Sequence, residues 1–185
     1  MRRSMVTMLA GLVGLSTPLA GQGALTVGFA GTVGSGWQIE ALDVGYARRT
    51  HTGPIGAVSL AARLGSFVDE GAIINGARGF VFGTSLAVRT PSATIAELGA
   101  DTSGSRVGLD FTLEATGYAG SNSPLPVGSP WGAVSALLGV RFGDPDGGRF
   151  GVLIGPTVFF GNVTQTRAFL GLRFETPLAR RERHP

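Results

Sequence analysis

Two histidines, His51 and His184, are the side chains best suited to proton transfer near neutral pH. A hydrolytic site needs a nucleophile, a base and an orienting acid within reach of one another. His51 falls in a turn and His184 near the C-terminus, and neither sits on a strand beside a serine. The geometry of a catalytic triad is therefore missing. Asp110 and Glu114 are the best-placed acids. Four positions apart on one strand face, they stand roughly 13 Å from each other. That is too far for a paired-carboxylate mechanism, so salt bridges to arginine are the better reading. Asp144-Pro145-Asp146-Gly147 lacks the further ligands of a calcium loop and reads as a turn. The run Gly31 to Gly36 lacks the lysine and following helix of a phosphate loop and reads as a hairpin. No catalytic residue, metal site or cofactor is expected.

What positions these charges is a set of strands. In Val107-Gly108-Leu109-Asp110-Phe111-Thr112-Leu113-Glu114-Ala115-Thr116 every odd residue is apolar and every even one is glycine, hydroxyl or carboxylate. A two-residue period puts those sets on opposite faces of a strand. Eight such strands are predicted: Ala24 to Val33, Trp37 to Ala47, Ile55 to Leu64, Gly79 to Arg89, Val107 to Tyr118, Gly132 to Phe142, Arg149 to Phe160 and Thr166 to Glu175. The phase of the second slips near Glu40 and Ala41, which suggests a β-bulge. Pro156 cannot donate to a ladder and suggests another. Between strands four and five, Thr90-Pro91 with Gly99 could cap a short helix.

The composition is that of an exported chain with little need for surface charge. Only 15% of its 185 residues are charged and 43% are hydrophobic. Arg2 and Arg3, an apolar stretch from Met5 to Leu15 and a small-residue exit read as a cleavable signal peptide over residues 1–22. Residues 23–176 form the barrel domain and 177–185 a basic tail. The absence of cysteine excludes lipoprotein acylation and a disulfide framework. Removing Arg2 and Arg3 from the 15 basic residues, all arginine, leaves 13 against 12 acids. A mature chain that is nearly neutral gives no footprint for nucleic acid.

The content of the polar face decides which way the strands point. It is mostly Gly, Ala, Ser and Thr, punctuated by Asp43, Arg63, Arg89, Arg106, Asp110, Glu114, Arg141, Arg149, Arg167, Arg173 and Glu175. An arginine facing lipid at mid-depth costs about 2–4 kcal/mol. Turned inward, these charges can pair and offset their desolvation. They are expected to form a lumenal charge network, with the apolar face outside against lipid. Trp37 and Trp131 begin strands, as aromatic residues of a membrane interface do; core packing is the other reading.

On these residues the chain resembles the small eight-stranded outer-membrane barrels of the OmpX and OmpA-transmembrane-domain type. The most specific part is the last strand, where Leu170, Leu172 and Phe174 look like that family's C-terminal assembly signal. Family members usually stop at the aromatic; here residues 175 to 185 follow it. The resemblance implies an all-β, eight-stranded antiparallel transmembrane barrel in the bacterial outer membrane. Its partners would be outer-membrane lipids and, during insertion, the barrel-assembly machinery, and the protein would be a monomer. The function expected is non-enzymatic, in envelope structure or surface interaction. Two alternatives stay open: a narrow pore for small solutes, and a soluble periplasmic carrier of an apolar ligand. Seven lumenal arginines less four acids give +3, which in a pore would favour anions.

Overall fold

The computed structural model describes residues 23–50, 53–69, 77–97, 105–121, 131–144, 147–161 and 164–178. The signal peptide, both histidines, Gly99 and residues 179–185 of the tail lie outside these. Nine strands occur, and no helix among the described residues: β1 (Gly23–Val33), β2 (Trp37–Arg49), β3 (Ala57–Asp69), β4 (Ala77–Arg89), β5 (Ala93–Glu97), β6 (Arg106–Gly120), β7 (Trp131–Gly143), β8 (Arg149–Phe160) and β9 (Gln165–Pro177). Neighbours pair antiparallel, β1 pairs with β9, and β4 pairs with β6. The result is a closed eight-stranded barrel in which β5 is a flank. Closure leaves no unpaired edge along the wall.

The segment after β4 is a strand, where a short helix was predicted. Thr90 explains the difference. Its N–H donates to the Phe111 carbonyl (2.9 Å), and its hydroxyl accepts from the Phe111 N–H (3.0 Å). These bonds carry the chain past Pro91 still alongside β6. Arg89 faces Thr112, and Ala93 then faces Leu109.

Neither predicted bulge forms. The β1–β2 and β2–β3 registers run without a shift through Glu40 and Ala41. The β7–β8 ladder resumes in the same register on either side of Pro156, whose neighbourhood simply lacks pairing to β7. The phase of β2 misled because the inner face itself changes character along the barrel. Trp37 and Ile39 point inward just as Asp43 does.

Gly23, where β1 begins, and Pro177, where β9 ends, mark one end of the barrel, called here the terminal end. At the opposite end the lumen is filled by Trp37, Phe67, Tyr118, Trp131 and Phe159. Tyr118 and Trp131 stack with centroids 4.2 Å apart, while Trp37 meets Phe67 and Phe159 edge-on at 6.0 and 5.6 Å. Both tryptophans are thus buried core residues, which corrects their reading as interface aromatics. Register sends them there: Trp131 faces Tyr118 across the β6–β7 ladder, in the inward phase. Lower down, Ala30, Leu137, Leu153 and Phe169 make a second apolar cluster on the β1, β7, β8 and β9 side.

Neighbouring phases should respond differently to truncation. Phe67 is 0% exposed and Phe82, on the outer face, 45%. Phe67→Ala should cost about 3–5 kcal/mol through the cavity it leaves. Phe82→Ala leaves no enclosed cavity and should cost clearly less. Urea unfolding midpoints of the two variants in one detergent check this.

Candidate functional site

The titratable groups that the barrel brings together lie in its lumen, at and below mid-height. Arg63 is the centre. Its partner Asp43 stands directly opposite on the β2–β3 ladder. Arg63 Nε donates to Asp43 Oδ1 (2.7 Å) and Nη2 to Oδ2 (2.9 Å), a two-point grip that matches the guanidinium fork to a carboxylate. Nη2 also donates to Glu114 Oε1 at 2.8 Å, and Nη1 to the Tyr118 hydroxyl at 2.6 Å. Arg173, from β9, bridges the same two acids, with Nη2 3.4 Å from Asp43 Oδ2 and 3.3 Å from Glu114 Oε2. Four strands are thereby tied through the lumen.

Gly83 makes room for this. It lies between Arg63 and Tyr118 in register, paired with one on β3 and the other on β6. A Cβ there would stand 2.9 Å from the Tyr118 ring, tighter than packing allows. The tyrosine lies across the glycine to reach Arg63.

Nearer the terminal end a second group forms. Arg141 Nε donates to Asp110 Oδ2 at 2.7 Å. Glu175 accepts from Arg49 Nε (3.2 Å) and Arg89 Nη1 (2.9 Å), and lies 3.9 Å from Arg141 Nη1. Asp110 and Glu114, on one strand, therefore serve separate groups. In each, the carboxylates are engaged by guanidinium groups.

The remaining sequence-predicted charges fall elsewhere. Arg167 sits at the opposite end, where Nη1 donates to the Trp37 carbonyl (2.6 Å) and Nη2 to the Ser35 carbonyl (3.0 Å). Its guanidinium lies 3.7 Å from the Trp37 ring centroid, holding the β1–β2 turn over the aromatic cluster. Arg106 is half-exposed at the terminal rim, 3.6 Å from the exposed Glu97 of β5. Arg149 is at the same rim and donates to the Asp144 carbonyl (3.3 Å). The Asp144–Gly147 turn is closed by the Gly147 N–H on the Asp144 carbonyl, as a turn reading requires. Leu170, Leu172 and Phe174 of the predicted assembly signal all face outward.

Sequence reasoning missed Arg49 and Tyr118 as members. Arg49 shares the inward phase of Asp43 but lies beyond the predicted end of its strand at Ala47. Tyr118 stands in the polar phase of β6 and was legible there, except that its ring promised packing rather than a hydrogen bond.

The lumen is closed by these layers. A cavity lined by Arg89, Thr112, Arg141, Arg173 and Glu175, among others, encloses only about 10 Å³. A larger one, about 330 Å³, lies at the terminal mouth. Compared with known proteins, the chain matches no family model and no curated sequence.

Removing one member of a buried ion pair strands the others. Glu175→Gln should destabilise the barrel by about 3–5 kcal/mol. Glu97→Gln, which touches only the exposed pair with Arg106, should change stability by under about 1 kcal/mol. Denaturant unfolding of both variants is the measurement, and equal losses would contradict this division into core and rim.

Proposed function

We propose that this chain is an integral outer-membrane β-barrel with a non-enzymatic role in envelope structure or surface interaction. One observation carries the reading: large apolar side chains face outward on every barrel strand. Examples are Phe29 on β1, Val44 on β2, Leu64 on β3, Phe82 on β4, Leu113 on β6, Leu138 on β7, Ile154 on β8 and Leu172 on β9. A band that circles the molecule far exceeds the few hundred Å² a soluble monomer leaves in water. Hydrocarbon is the solvent it suits. The strands, 11 to 15 residues each in the barrel wall, are long enough for the 9–11 that a tilted crossing requires.

Aromatic side chains lend further support. Phe142, Phe150 and Phe174 form one outward row across β7, β8 and β9, each opposite the next in register. They lie towards the terminal end, and Phe80 and Phe160 lie outward near the opposite one. Rows at both heights suit the two interfaces of a membrane. With the terminal end towards the periplasm, the opposite end, where β3 ends and β4 begins, would face the cell surface and carry any interaction there.

Each buried carboxylate of the lumen is engaged by at least one arginine, which suits a structural role for them. A narrow anion pore has the packed lumen against it. A soluble carrier would have to expose the whole apolar band to water.

The chain has no cysteine, so single ones can be placed at will. Leu113 is 51% exposed on the outer face and Thr112 1% exposed inside. In membranes, a lipid-soluble thiol reagent should label Leu113→Cys and spare Thr112→Cys; the reverse pattern, or the protein in the aqueous fraction, would sink the reading. Leu113→Arg should also lower stability in a bilayer by about 2–4 kcal/mol. In planar bilayers the wild-type protein should show no steady conductance, and channels that respond to Arg63 or Arg141 substitution would favour the pore instead.

A further inference from the structure

We infer that Tyr46 and Arg48 form a site for the phosphate of an anionic phospholipid on the outer rim of the terminal end, an inference that rests on the membrane reading above. Both residues stand in the outward phase of β2, in line with Leu42 and Val44. Tyr46 is 46% exposed and Arg48 partly so. The ladders set two rows here. Leu25, Tyr46 and Leu60 face one another across β1, β2 and β3, and nearer the rim Gly23, Arg48 and Val58 do the same. Gly23 decides how the two polar groups meet. A Cβ on it would stand 2.7 Å from the Tyr46 ring, closer than packing allows. The ring lies across the glycine towards the rim and brings its hydroxyl into the row that Arg48 occupies.

Among the described residues, neither the Tyr46 hydroxyl nor the Arg48 guanidinium has a hydrogen bond or ion pair, whereas Arg49, the next residue, turns inward to Glu175. Both lie at the surface, where an outside group can reach them, and both can donate to one acceptor. A guanidinium fork beside a hydroxyl matches the paired oxygens of a phosphate. The neighbouring side chains say what carries that phosphate. Leu25, Val44 and Leu60, all exposed, lead from the pair into the apolar band, so acyl chains can lie along them while the headgroup stays at the rim. A tyrosine with its ring in the apolar band and its hydroxyl at the rim suits that boundary. The outer faces of β1, β2 and β3 carry one acid among the described residues, Glu40, roughly 27 Å along the strand from Arg48. With no carboxylate on these faces near enough to hold an ammonium, a headgroup of net negative charge is favoured over a zwitterionic one.

The test uses vesicles of phosphatidylcholine with a minor fraction of phosphatidylglycerol. The protein is purified in a maltoside detergent, reconstituted into them, floated on a density gradient and re-extracted, and its retained lipid is counted by native mass spectrometry. Phosphatidylglycerol should be enriched over its share of the vesicle, and the part that depends on Arg48 should saturate at one molecule per protein. Arg48→Gln should lower the enrichment about fivefold, the loss of one cationic contact at an anionic surface. Tyr46→Phe, which keeps the ring and removes only an exposed hydroxyl, should lower it about threefold. Arg78→Gln, exposed near the opposite end, should leave it unchanged; an equal fall there would mean diffuse attraction and overturn the site. Floated protein without enrichment, or with enrichment indifferent to both β2 variants, overturns the inference and leaves the membrane reading standing. Protein that does not float with the vesicles overturns both.

Discussion

A guanidinium sealed inside a closed sheet has no water to turn to, so Arg63 must find all its compensation across the lumen. Much else in the barrel follows from that constraint. Asp43 must face it on the adjacent strand, and Glu114 must reach it from β6, three strands along the chain's order. The residues between must be small, which is why Gly83 separates Arg63 from Tyr118. Such a cluster is weak evidence for net stability, since desolvation offsets much of the attraction. Its stronger effect is on specificity. Slipping any of these strands by one residue would turn a charge outward and strand its partners, so the ion pairs and the apolar band select the same register.

The lumen is layered, and each layer closes in its own way. Rings fill the opposite end, where dispersion and aromatic geometry replace hydrogen bonds. Carboxylates and arginines occupy the middle beside the Leu137, Leu153 and Phe169 cluster. The interior is therefore asymmetric along its axis, apolar and filled at one end, lined by arginines around a cavity at the other. An eight-stranded barrel is just wide enough for its side chains, so such layers can fill it without any dedicated plug.

The fold class and the division into two faces were legible because a strand's side-chain period is a purely local property. Val107 to Thr116 shows it, and the sorted strand β6 has the predicted inward acids and outward apolar residues. The same locality produced the errors. Trp37 and Ile39 looked like a change of phase because an apolar inner face was not anticipated. Nothing in β2 alone reveals that Phe67 and Phe159 wait there to pack against Trp37. Thr90-Pro91 resembles a helix start until Phe111, some twenty residues on, supplies the hydrogen bonds that keep it extended.

What the sequence alone determined is the alternation, and with it the eight staves of the wall and the sign of each face. It could do so because burying charge and exposing oil each carry a penalty that every strand must obey separately. Which acid meets which arginine, and where the inner face turns from charged to aromatic, only closure of the sheet decided. Those pairings join residues such as Arg89 and Glu175, far apart in the chain and on strands that never pair. Their distances exist only once the eight staves share a common axis.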